Sequence, residues 1–124
     1  MRPPHDDVVR EFLAACRTGE ISALRAALHD DAVAMCDGGG AVLAALNPVR
    51  GAENVAGLVS VLLCRPGSEL TVESVNGRTG LALRRGGRAE AVIAAESAGG
   101  LVSALWIVLT PAKLARWHVS TEHG

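Results

Sequence analysis

Asp37 is the residue of this chain best placed to do chemistry. It follows a short apolar segment, residues 32–36, and precedes Gly38, Gly39 and Gly40. Residues without side chains leave the carboxylate little steric cover and let a partner or ligand approach closely. A carboxylate buried beside apolar walls has a raised pKa and serves as acid or base near neutrality. Two other roles fit Asp37: bracing the glycine turn through local amides, and meeting a partner surface. A phosphate cradle does not fit. Such loops open a helix and carry Lys-Ser or Lys-Thr, whereas residues 41–46 read as strand.

Other chemistry is sparse. His5, His29, His118 and His123 have no metal-ligand spacing, and the common zinc, redox and hydrolase motifs are absent from the sequence. Neither a metal nor a cofactor is expected. Cys16, Cys36 and Cys64 lie far apart among apolar residues and read as buried reduced thiols.

The elements that must position Asp37 follow from periodicity. Val8, Val9, Phe12, Leu13 and Cys16 recur at helical spacing. Asp6 or Asp7 can cap that helix, and Gly19 suits its exit. A second helix begins near Glu20, carries Ile21, Leu24 and Leu28 on one side, and stops around His29, Asp30 and Asp31. Short strands at 32–36 and 41–46 flank the glycines. Residues 47–51 then turn the chain into a third helix with Val55, Leu58, Val59, Leu62 and Leu63 as its stripe, ended by Pro66-Gly67.

After that the pattern alternates. Residues 70–75, 81–85, 88–95 and 101–109 read as consecutive strands, with Gly86-Gly87 and Gly99-Gly100 where hairpins need positive φ. Asn76, Gly77 and Gly80 form a further turn. Helices ahead of a run of strands indicate an α+β domain spanning residues 1–124, its helices on one face of a curved sheet. The last strand is apolar on both faces, so both must be covered: one by helices, the other by a second subunit. A homodimer through the outer sheet face is therefore expected.

Of the 124 residues, 49% are hydrophobic, yet there are only one Phe, two Trp and no Tyr. Any cavity is thus aliphatic and favours apolar small molecules, with Phe12, Leu13, Met35, Leu58, Leu62 and Trp106 as its expected lining. A net charge of −1 argues against nucleic acid and anionic membrane, which need clustered Lys and Arg. Acids near the N-terminus and an apolar run too short to cross a bilayer predict a cytoplasmic protein. The initial Met favours a free-standing chain over a fragment.

Three segments carry a family resemblance: Asp37 to Gly40, the turn Val75-Asn76-Gly77-Arg78-Thr79-Gly80, and Thr110-Pro111-Ala112-Lys113-Leu114. Together they resemble signatures of the SnoaL-like C-terminal domain found on a subgroup of extracytoplasmic-function sigma factors. Departures occur at Ala41, where a basic residue is usual, and at Thr110 and Ala112, where the family carries Asn and an acid. The wider similarity is to the nuclear transport factor 2-like superfamily, which includes polyketide cyclases and ketosteroid isomerases. It implies a cone-shaped antiparallel or mixed sheet with three helices on its concave face. The sigma-factor resemblance implies a non-catalytic regulatory module whose contacts with a sigma region use Asp37, Gly38, Gly39, Gly40, Asn76, Gly77, Gly80, Pro111, Lys113 and Leu114. The wider one implies an alternative: a cofactor-free cyclase or isomerase with Asp37 as acid or base on a polyketide or steroid-like substrate. On the isomerase pattern, however, Cys36 occupies the base position and Asp37 comes one residue later, on the opposite face of a strand.

Overall fold

The computed structural model describes residues 4–37, 48–109 and Leu114. Three helices and six strands follow in the order α1 (His5–Thr18), α2 (Ile21–Ala26), β1 (Leu28–Asp37), β2 (Val49–Arg50), α3 (Ala52–Leu63), β3 (Glu69–Val75), β4 (Arg78–Arg85), β5 (Arg88–Ala98) and β6 (Leu101–Val108). The strands form one mixed sheet ordered β2-β1-β6-β5-β4-β3. The fold is α+β.

Local sequence explains most boundaries. The buried side chains of α1 are Val8, Val9, Phe12, Leu13, Ala15 and Cys16, a single apolar face at helical spacing. Gly19 ends the helix in the left-handed conformation, its N–H bonded to the Cys16 carbonyl. The N-terminus has no side-chain cap. Instead Asp6 accepts a hydrogen bond from Thr79, while His5 bonds Ser97 Oγ at 2.8 Å and the Thr79 carbonyl at 2.9 Å. Long-range polar contacts thus replace the expected cap and tie the start of α1 to the ends of β4 and β5.

The hairpins at Asn76-Gly77, Gly86-Gly87 and Gly99-Gly100 all have two central residues at positive φ, the twist-matched two-residue geometry. They join β3, β4, β5 and β6 into an antiparallel meander. β1 then pairs with β6 in parallel, which is possible because the meander and α3 supply a long crossover.

Several boundaries differ from the sequence reading: β4 starts at Arg78 and takes in Gly80, and β5 runs on to Ala98. His29, Asp30 and Asp31 belong to β1, which starts at Leu28; their polarity resembles a turn, but at the register shift between Leu28 and Val33 Asp30 and Asp31 are exposed on the strand and His29 is half-buried. Val49 and Arg50 form a short strand against Ala34 and Val33 before α3 begins. The strand expected at residues 41–46 lies outside the described residues.

The main core lies between the helices and one sheet face. Phe12, Leu24, Val55 and Val59 meet Ala32, Ala34, Leu81, Leu83, Ile93, Leu105 and Ile107 there. A second cluster covers the opposite face: Val75, Ala82, Ala89, Val92 and Leu114, with Ala94 and Val108 beside them. Beside that cluster, Arg84 donates to Glu73 at 3.0 Å and Thr71 Oγ1 to the same carboxylate at 2.8 Å. Those bonds, the arginine's first, hold the Glu73 carboxyl below the usual carboxylate range. A depressed native pKa gives stability that is present above the unfolded value, about 4.3, and lost as pH falls through the native one. Glu73→Gln is expected to cost about 0.5–1 kcal/mol at neutral pH, since the pair is partly exposed. In urea melts that difference should shrink toward zero at acid pH.

Candidate functional site

Strand alternation decides where Asp37 sits. Ala32 and Ala34 are buried in the main core, and Cys36 packs against it. Val33, Met35 and Asp37 therefore point to the opposite, outer face. Register agrees: Cys36 lies beside Ile107 of the main core, and Asp37 beside Val108 of the outer cluster. The backbone is fixed as well, because the Asp37 carbonyl accepts the Leu109 N–H at 2.7 Å. Asp37 is half-buried, at the rim of the sheet and away from the helices.

Trp106 is on this same face. Its register partners are Met35 on one side and Ala94 on the other, and it remains 49% exposed. The expectation that Met35 and Trp106 line a helix-side pocket is thus corrected. Both faces of β6 are apolar, so composition does not orient it; Leu105 and Ile107 take the inner face and leave Trp106 outside. The other four residues of the expected lining are on the helix side. Phe12 and Leu13 are buried in the core, and Leu58 and Leu62 are half-buried against it.

The signature residues divide in the same way. Asn76 and Gly77 are the exposed tip of the β3–β4 hairpin, with φ of 52° and 80°. Gly80 is buried within β4, where a Cβ would stand 2.3 Å from the Ile93 carbonyl oxygen. Leu114, 4% exposed, packs into the outer cluster. The outer face thus has a covered part under Leu114 and an exposed part around Trp106. Gly38, Gly39, Gly40, Pro111 and Lys113 lie outside the described residues.

A second feature escaped the sequence reading. A cleft of about 470 Å³ opens where the end of α1, the end of α3 and the start of β3 meet, with Cys16, Arg17, Cys64, Arg65, Ser68 and Glu69 among its walls. Cys16 is buried, whereas Cys64 is only half-buried, and neither is in a disulfide. The two thiols are near enough to interact, and burial raises both above the ordinary thiol range, Cys16 the further. No sequence signal links them, since each sits in a different helical stripe and only the packing of α1 on α3 brings them together. Among the described residues no polar or charged side chain is buried, and no group of three or more His, Cys, Asp or Glu could hold a metal ion.

Comparison with solved structures places the chain in the nuclear transport factor 2-like fold. The extracytoplasmic-function sigma factor SigJ of Mycobacterium tuberculosis is similar over 90% of this chain, with 26% identity and a TM-score of 0.69. The chain spans only 44% of that sigma factor. An LEH-like epoxide hydrolase of M. tuberculosis shares 20% identity at a TM-score of 0.54, over 91% of this chain and 87% of its own. An NTF2-like protein of Burkholderia xenovorans shares 20% at 0.56, over 90% and 93%. No family model matches the chain, and no curated protein matches it.

Proposed function

We propose that this domain is a non-catalytic SnoaL-like binding module that regulates a sigma factor through its outer sheet face. The observation that carries this reading is the position of Asp37. Acid–base catalysis on an apolar ring substrate needs a desolvated carboxylate inside the cavity, and strand alternation turns this one to the opposite side. There it stands at the edge of an apolar surface with Trp106 exposed among Met35, Ala94 and Val108. An exposed tryptophan with small apolar neighbours and a charged rim is the usual make-up of an interface hot spot. The similarity to a sigma factor more than twice as long as this chain favours further sigma-factor chain as the occupant.

The test uses the intact chain and a separately produced promoter- and polymerase-binding region of an extracytoplasmic-function sigma factor, titrated by calorimetry. Trp106→Ala is expected to weaken binding about 30-fold, the equivalent of about 2 kcal/mol for a hot-spot residue. Asp37→Asn should weaken it less, with circular dichroism unchanged in both. Wild-type affinity in the Trp106→Ala variant would overturn the proposal. So would a particle of twice 12.8 kDa that this substitution dissociates, which would assign the face to a homodimer. Turnover of a cyclic ketone or polyketide that Asp37→Asn abolishes would establish the cyclase reading instead.

A further inference from the structure

The cleft at the ends of α1 and α3 holds two thiols that the outer-face contact does not use, on the opposite side of the sheet. We propose that Cys16 and Cys64 form a two-coordinate site for a soft monovalent cation of the copper(I) or silver(I) class, with Arg17 and Arg65 beside it.

The two sulfurs come from separate, well-anchored elements. Cys16 lies one turn before the Gly19 cap of α1, and Cys64 is the C-cap residue of α3. Both line one open cleft, and the half-buried Cys64 gives a cation access without unfolding either helix. Thiolate sulfur selects soft metals over hard ones. Only two such donors converge here, and among the described residues no third His, Cys, Asp or Glu completes a larger ligand group. That donor set falls short of the tetrahedral sites zinc prefers, while a filled-shell monovalent ion is satisfied by two sulfurs in line.

The binding step balances without redox chemistry. Two S–H bonds break, two sulfur–metal bonds form, and two protons pass to solvent, leaving a metal bis-thiolate with one negative charge. Burial opposes that ionisation, as the raised thiol pKa values show. The guanidinium groups in the cleft wall carry the charge opposite to that of the bis-thiolate. Arg17 is held there by its bond to the Leu70 carbonyl at 3.3 Å, and the exposed Arg65 is beside Cys64. Glu69, also in the wall, is a hard donor and a poor match for such an ion. Because protons leave on binding, affinity rises with pH.

The experiment titrates the full chain anaerobically with copper(I) against a chromophoric copper(I) chelator, with bound metal counted by mass spectrometry. One copper per chain is expected, lost in Cys16→Ala and in Cys64→Ser and kept in Cys36→Ser. Arg65→Gln should weaken binding about 10-fold, as removal of an outer-shell partner does. Should Cys16→Ala fail to fold, Cys64→Ser at its half-buried position decides the matter. Retention of copper by a folded Cys64→Ser chain, a requirement for Cys36, or one copper shared between two chains would each overturn the site.

Discussion

Gly80→Ala is expected to destabilise the fold by about 3 kcal/mol, the upper end of the usual range for overpacking. A Cβ at this position meets the Ile93 carbonyl oxygen at 2.3 Å and a Val75 methyl at 2.9 Å. The first of these is backbone in the adjacent β5, held by the ladder to β4, and cannot swing away as a side chain would. The strands must separate locally, which strains hydrogen bonds on both sides of β4. Gly77 provides the control. Its Cβ would meet nothing within 4 Å, but its φ of 80° is left-handed. Gly77→Ala should therefore cost only the conformational penalty, about 1–2 kcal/mol. Urea denaturation of the two variants checks the order. A Gly80→Ala protein as stable as Gly77→Ala would mean that the sheet relaxes freely around β4.

That pair shows what a short sequence pattern does and does not carry. Asn76-Gly77 and Gly80 are adjacent in one signature and read alike, as turn or contact residues. In the structure the first two form the hairpin, while the third lets β5 and the Val75 side chain close over β4. Spacing reveals a turn because positive φ is a local property. Close backbone approach is not local, since it depends on which strand becomes the neighbour.

The same distinction explains what was legible elsewhere. The three glycine-containing hairpins, the apolar faces of α1 and α3 and the α+β order follow from local chemistry, and they hold. The parallel pairing of β1 with β6, which brings Asp37 beside Val108, depends on tertiary contacts alone. Orientation of an all-apolar strand such as β6 is equally silent in sequence, so nothing in the pattern turns Trp106 to the outer face. For Asp37 the alternation was sufficient: once Ala32 and Ala34 face the helices, residue 37 cannot. The thiol pair marks the opposite limit, because its two members meet only after α1 has packed on α3.

Phe12→Ala carries the largest expected cost, about 3–5 kcal/mol, a large part of the stability of a domain this size. Phe12 is 1% exposed, and its ring lies among the buried side chains that join α1 to the sheet. Its removal withdraws apolar area from burial and leaves a space that small aliphatic neighbours such as Ala32 and Ala34 cannot fill. Phe12→Leu, which keeps most of the volume, should cost less than about 1.5 kcal/mol. The ratio of the two bears directly on function. If Phe12 were the wall of an open ligand cavity, shortening it would enlarge existing space and both substitutions would cost little. A steep loss for alanine and a shallow one for leucine means that the ring is packed on all sides. Any apolar ligand would then have to displace core side chains to enter beside it. In that case the alanine variant, if it remains folded, should acquire affinity for a small aromatic such as benzene that the parent chain lacks. Thermal shift with and without the aromatic reads this out. Equal shifts in parent and variant would restore a helix-side pocket and, with it, the case for a substrate there.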